Sequence, residues 1–358
     1  MIQYSTKIIF LQVALLLSCS ISIPYSFAFL TTARATNYRK TKLKVSTTTV
    51  LPETPFKFQN VKIAYTCQGG SDPDRPSKVN QDAYFIRTNI TGCSHLTLVG
   101  VMDGHGKNGH ILNTFLSQRL PEIIEAKIQG KEDVTSIGDI LIESYEQVNE
   151  EARLDVNVPA GRSGTTCVSC IFDSKNGFIH VANVGDSRAI VGFINNNNSN
   201  NSDLIVQPLS IETTTKREEE RGRIESGEGR IDSGGNVWYG PIGIAMTRCL
   251  GNLVMKRAGV ICKPEITTMN VDEILSQHSL NGNNYSSLIL LGTDGIFDVI
   301  SNDDAISFLD KEFRTTGDLQ SCSDALVSET TKRWLADLPF EVKVDDTTCV
   351  LIRFEVMK

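Results

Sequence analysis

The chain has 358 residues, 40% of them hydrophobic, enough for one large globular domain or two small ones. Its formal net charge of −7 is uneven: residues 1–52 contain no Asp or Glu and carry +6, so the remainder carries −13. A body this acidic argues against nucleic acid or an anionic membrane as the main partner.

The N-terminus reads as an address. Lys7 precedes the apolar run Ile8–Leu17, and Pro24 and Ser26-Phe27-Ala28 follow, which is the layout of a cleavable signal peptide of about residues 1–28. Gln12 and Ser18 interrupt the run, and it is short for a membrane span, so no stable span is expected after processing. Phe29 then opens a basic, Thr-rich, acid-free segment to Val50. Together these resemble the bipartite plastid presequence of algae with secondary plastids. The alternative is a secretory signal and linker, in which case Asn89-Ile90-Thr91 and Asn284-Tyr285-Ser286 become glycosylation acceptors. The expected division is a targeting segment at 1–52 and a single domain at 53–358.

From Phe56 the pattern is globular. Strands are predicted at Val61–Cys67, Ala83–Arg87 and Leu96–Met102, then helices at Asn108–Ile128 and Ile137–Leu154 from apolar spacings of three and four. Thr166–Phe172, Phe178–Val184 and Arg188–Ile194 are strands set so closely that antiparallel hairpins are expected. Asn195–Asn201 reads as a surface loop and Lys216–Glu228 as a charged helix. Strands at Ile266–Val271 and Leu288–Leu291, helices at Asp303–Phe313 and Asp324–Leu335, and a last strand at Thr348–Phe354 complete the chain. Strands in runs and helices in pairs, without βαβ alternation, give an α+β fold. The nine cysteines are scattered singly except for Cys167-Val168-Ser169-Cys170. A strand there points the two thiols to opposite faces, as small buried hydrophobes and not as a redox or zinc pair.

Acids recur where apolar strands begin or end. Leu98–Met102 stops at Asp103-Gly104-His105-Gly106, and Ser287–Leu291 runs into Gly292-Thr293-Asp294. Asp345-Asp346 precedes the last strand, and Asp82 precedes Ala83. Each alone is a turn residue. Gathered at one end of a core, Asp103, Asp294 and Asp345 could hold hard divalent ions such as Mg²⁺ or Mn²⁺, which prefer oxygen ligands.

The order and spacing of nine motifs resemble the metal-dependent Ser/Thr protein phosphatases of the protein phosphatase 2C-like (PPM) family. They are Asn80-Gln81-Asp82, Asp103-Gly104-His105-Gly106, Ser163-Gly164-Thr165-Thr166, Val184-Gly185-Asp186-Ser187-Arg188, Glu220 with Arg223-Ile224, Ala245-Met246-Thr247-Arg248-Cys249-Leu250-Gly251, Pro264-Glu265-Ile266, Asp294-Gly295-Ile296-Phe297-Asp298 and Asp345-Asp346-Thr347-Thr348. The resemblance implies a central β-sandwich of two antiparallel sheets, flanked on both faces by antiparallel helices. It also implies two tight Mg²⁺ or Mn²⁺ ions. Asp103 would bridge them, the Gly104 carbonyl would bind one, and Asp294 and Asp345 the other. Asp82 would order metal-bound waters, and Asp186 with Asp298 would recruit a weaker third ion. A metal-bridging hydroxide would attack phosphoserine and phosphothreonine of protein substrates without a covalent intermediate, and His105 would protonate the leaving alkoxide. The expected protein is a monomer.

The sequence also departs from the family pattern. Gln81 stands where animal members often have Glu. Many members have a phosphate-binding Arg shortly before this motif; here Ser77 and Lys78 stand nearby instead, so Lys78 is a candidate for substrate phosphate without the bidentate fork. Leu250-Gly251-Asn252 replaces Leu-Gly-Asp, and Ile211-Glu212-Thr213-Thr214 replaces an Asp-containing motif. Such departures leave open a phosphatase-like pseudoenzyme retained as a regulatory or binding module. His95, His110, His180 and His278 lack partners at ligand spacing, and Trp238-Tyr239 reads as a packed flap edge.

Overall fold

The apolar runs become strands that are buried on both faces. A computed structural model describes residues 57–90, 92–129, 136–195, 204–278, 285–336 and 343–356. The targeting segment at 1–52 and most of the Asn195–Asn201 loop therefore lie outside the described residues, as do Thr91 and Asn284 of the two acceptor sequences.

The chain runs β1 (Phe58–Gln68), β2 (Ala83–Ile90), β3 (Cys93–Met102) and β4 (Gly104–His105), then α1 (Gly109–Ile128) and α2 (Ile137–Leu154). Next come β5 (Gly164–Thr165), β6 (Cys167–Asp173), β7 (Phe178–Val184), β8 (Arg188–Asn195) and β9 (Leu204–Pro208). They are followed by α3 (Glu218–Glu225), β10 (Arg230–Ile231), β11 (Val237–Tyr239), β12 (Ile242–Ile244) and β13 (Leu250–Gly251). The last third holds β14 (Glu265–Asn270), α4 (Val271–Gln277), β15 (Tyr285–Gly292), α5 (Asp294–Phe297), α6 (Asn302–Thr316), α7 (Leu319–Ala336) and β16 (Thr347–Val356).

Two five-stranded sheets, ordered β14-β7-β6-β3-β2 and β1-β16-β15-β8-β9, are antiparallel throughout. The period-two alternation of each strand decides the layers. In β3, Val99 and Val101 face the core between the sheets with Val191, Ile289 and Val350, while Leu98 and Met102 face α1 and α2. In β15, Ile289 and Leu291 point into that core, and Leu288 and Leu290 face α6 and α7. Both faces of each strand are covered, so the sequence shows continuous apolar runs and not alternation. Cys167 and Cys170 are free and buried on opposite faces of β6, one in each cluster. The α6 helix is bounded as its sequence asks. Ser301 accepts from the Asp304 N–H at its start, and Gly317 (φ 66°) ends it.

One expectation is corrected. Phe178–Val184 and Arg188–Ile194 do not form a hairpin: β7 pairs with β6 and β14, whereas β8 pairs with β15 and β9. The link Gly185-Asp186-Ser187 crosses from one sheet to the other. It is held there by a bond from the Gly185 N–H to Thr213 Oγ1 (2.7 Å) and by contact of the Ser187 and Thr166 hydroxyls (2.6 Å). The crossing brings Asp186 to the end of the sandwich where β3 and β15 also terminate.

Candidate metal centre and active-site cleft

Asp103 is delivered by β3 and locked by its neighbours. Its N–H donates to Thr166 Oγ1 (3.0 Å), and its carbonyl accepts from the Thr166 N–H (2.9 Å) and from Thr165 Oγ1 (2.9 Å). Asp294 starts α5 directly after β15. There Thr293 Oγ1 accepts from the Thr348 N–H (3.0 Å) and donates to Asp82 Oδ2 (2.9 Å). One threonine thus ties three of the acid-bearing segments together. The main-chain bonds leave the carboxylates of Asp103, Asp186 and Asp294 free to converge, and one oxygen from each lies within 4.8 Å of the others.

That convergence is electrostatically costly. Burial pushes the carboxyls of Asp82 and Asp103 well above the usual range, and charged neighbours add to it, Asp346 at Asp82 and Asp294 at Asp103. Burial and then Asp294 raise Asp186 to about 7, while burial and then Asp345 raise Asp294 to about 6. Oδ1 of Asp82, of Asp186 and of Asp294 is buried without a hydrogen-bond partner among the described residues. Orphaned carboxylate oxygens facing one another fit a hard divalent cation, and with no thiolate or imidazole in the set they fit Mg²⁺ or Mn²⁺ better than zinc.

The remaining site residues divide. Asp345 opens onto the same cleft of about 750 Å³ but lies outside the tight triad. Its Oδ1 accepts from Lys78 (3.2 Å) and its Oδ2 from Lys343 (2.7 Å). Burial works against ionisation, but Lys343 and Lys78 together hold its carboxyl below the usual range. Lys78 also pairs with Asp346 Oδ1 (2.9 Å), so its ammonium is committed to acids and does not stand free for phosphate. Asp82 lies behind the cleft floor, bonded to Thr293. Asp298, one helical turn beyond Asp294, is exposed and does not line the cleft; desolvation, then Glu212 and Asp345, raise its carboxyl. Asp186, expected with Asp298 at a weaker third ion, is one of the three acids that converge, and Asp298 is not.

His105 sits in β4, and its Nε2 lies 3.0 Å from the Asn252 side-chain amide. Asn252 is 1% exposed, occupies the left-handed region (φ 48°) and has an Oδ1 without a partner among the described residues. Gly164 makes room for this pair, since a side chain there would come within 2.5 Å of His105 Nε2 and 2.9 Å of Asn252 Cβ. Desolvation, then the Lys256 ammonium, lower the His105 ring to about 4. The partner is a neutral amide, so no carboxylate offsets that repulsion. The Asn252 contact and Lys256 were not foreseen in the sequence. The departure at Asn252 was the available signal, but nothing local relates it to a histidine 147 residues away. His110 also opens onto the cleft, with a buried Nδ1 that has no partner among the described residues.

The opposite wall is a small antiparallel sheet, β10-β11-β12, with Ile242–Met246 lining the cleft. Trp238 packs as an edge, its Nε1 bonded to Asp232 Oδ2 (2.8 Å) and Arg230 over its ring. The segment after this sheet is anchored through Glu220, whose Oε1 accepts from Arg223 Nη1 (2.8 Å) and Arg248 Nη2 (2.6 Å). Burial alone would raise Glu220, but these bonds win and lower it to about 2.

The cation-free protein should lose stability as pH rises through the acid cluster. Folded Asp186 and Asp294 hold protons up to about 7 and about 6, whereas the unfolded chain releases them near 3.8. Between those limits the folded state binds more protons, so unfolding becomes easier with rising pH, by up to about 1.4 kcal/mol per group per pH unit. Thermal unfolding in chelator from pH 4.5 to 7.5 should show this slope, shallower in Asp186→Asn and abolished by Mn²⁺. The same slope in Asp186→Asn as in the parent would contradict it.

Residues 76–337 match the family model for protein phosphatase 2C. A probable protein phosphatase 2C from Arabidopsis thaliana, number 65, is 28% identical over 300 residues, covering 76% of this chain and 72% of the relative. Another from the same plant, number 35, is 27% identical over 318 residues, covering 80% and 82%. Among solved structures, serine-threonine phosphatase 2C from Toxoplasma gondii aligns with a TM-score of 0.65 at 17% identity, covering 86% of this chain and 98% of that one. At that identity it supports the fold alone.

Proposed function

The chain belongs to the protein phosphatase 2C family, and on that premise we propose that it hydrolyses phosphoserine and phosphothreonine in proteins with Mg²⁺ or Mn²⁺ held at the acid cluster. The observation that carries this reading is the convergence of Asp103, Asp186 and Asp294 within 4.8 Å on the floor of the cleft. Asp103, with the Gly104 carbonyl, Asp294 and Asp345, would hold a tight pair of ions. Asp186 and Asp298 would serve a weaker third, and Asp82 would order the shell behind. Such ions, when bound, supply an ionised water at neutral pH and neutralise the phosphoryl oxygens.

The chain's own groups do the rest. Lys78 and Lys343 screen Asp345 from its acidic neighbours and keep it ionised. The wall Ile242–Met246 would give the bound phosphoresidue a largely apolar flank. His105 carries the proton that the departing serine or threonine oxygen needs. A phosphatase-like binding module is the weaker reading, because every acid of the ion set is present. Residues 1–52 are read as a removable targeting segment for the plastid, or for secretion, because they are basic and free of acids. Residues 53–358 are read as one catalytic domain. N-terminal sequencing of the endogenous protein should start at or beyond Phe29.

Chelated protein should fail to turn over a phosphothreonine peptide and recover on addition of Mn²⁺ or Mg²⁺. Metal-independent turnover, or none with either ion, would reject the reading.

A further inference from the structure

The floor of the cleft is acidic and its mouth is basic. Arg75, Lys78, Lys107, Arg162 and Lys343 all open onto it, in a body that carries −13. Three of the five are committed: Arg75 to Asp72 (2.7 Å), Lys78 to Asp345 and Asp346, and Lys343 to Asp345. Lys107 and Arg162 are exposed and have no such partner among the described residues. For Arg162 this is singular. Every other described arginine meets a carboxylate, a hydroxyl or an aromatic ring.

The two cations are also neighbours by construction. The β4–β5 ladder pairs Gly104 with Thr165 and His105 with Gly164; the turn that holds Lys107 leaves its end two residues on, and the turn that holds Arg162 enters the same end two residues before. The backbones stay in contact beyond the ladder: a side chain at Gly106 would lie 2.5 Å from the Arg162 carbonyl, and the Asn108 N–H donates to Ser163 Oγ (3.0 Å). Two cations brought to one end of a ladder at the mouth of one cleft repel each other unless something anionic joins them.

Building on the phosphatase reading, we propose that Lys107 and Arg162 form a second anion subsite. It takes a phosphate or carboxylate that the same phosphopeptide carries within four residues of the scissile phosphoresidue. Lys107 follows Asp103 by four residues, which caps their separation at about 14 Å, the reach of four residues of extended peptide. The arginine fork suits a planar or tetrahedral oxyanion, with the lysine adding a point charge.

The test compares phosphothreonine peptides with neutral flanks, with a second phosphate at each of positions one to four on either side, and with Glu at the same positions. Both kcat/KM and binding by fluorescence anisotropy are read. The enzyme should favour the best doubly phosphorylated peptide over the neutral one roughly tenfold. That ratio should fall to near one in Lys107→Ala/Arg162→Ala and persist in Lys311→Ala, a charge loss on the distant, exposed α6. A gain with Glu equal to that with phosphate would identify an acidic substrate, and a gain with phosphate alone a multiply phosphorylated one; either supports the subsite. An unchanged ratio in the double variant overturns it. If nothing is turned over but binding still discriminates, the phosphatase reading fails and the subsite stands. Active enzyme that binds all peptides alike overturns the subsite alone.

Discussion

An Asp103→Asn enzyme should lose turnover by roughly 10³-fold or more, lose tight divalent-cation binding, and yet melt higher than its parent in chelator at pH 7.5. The first two effects follow from position. Asp103 feels Asp294, Asp82, Asp186 and Asp345, so it is the hub of the cluster. An ion at a phosphoryl centre supplies several kcal/mol of charge stabilisation, and each 1.36 kcal/mol is a factor of ten in rate. The third effect separates chemistry from misfolding. Asp103 is desolvated and surrounded by acids, so without a cation its carboxylate opposes folding, and an amide of the same shape removes that repulsion. A variant that merely misfolds would melt lower. Calorimetry showing two tight ions in Asp103→Asn would contradict the assignment whatever the melting temperature.

His105→Gln should lower kcat by ~10²–10⁴-fold on a phosphothreonine peptide and much less on an aryl phosphate, whose leaving group needs no proton. Cation affinity should stay within about twofold, because the ring lies against Asn252 and Gly164 and not among the acids. Enclosure and Lys256 lower the ring to about 4, so it is neutral in the free protein at pH 7. A dianionic phosphate entering the cleft offsets that repulsion and favours the charged ring where the proton is needed. Equal losses on both substrates would assign His105 to positioning.

Much of this protein was legible one strand at a time. Leu98–Met102 and Ser287–Leu291 are apolar without alternation, which identifies strands covered on both faces, and the acids that end them mark where each chain segment leaves the core. A helix at α6 was legible too, but its end was expected at Phe313, three residues short of Thr316. Ordered motifs with their family resemblance identified the fold and named the acids to look for at its end.

Other features belong to no local stretch. The short link at Asp186 reads as a hairpin turn, because nothing within three residues reveals that β7 and β8 complete different sheets. Lys78 reads as a free cation until the fold sets it 2.9 Å from Asp346, 268 residues on. Asn252 looks like a lost acid until Gly164 lets it reach His105. Arg162 looks like any surface arginine until a two-residue ladder brings its turn and that of Lys107 to the mouth of one acidic cleft. Hydrophobic periodicity and turn chemistry act over a few residues, and they determined the elements and the ends where acids sit. Pairing of charges and enclosure of rings depend on distances between segments far apart in the chain, and those only the packed sandwich decided.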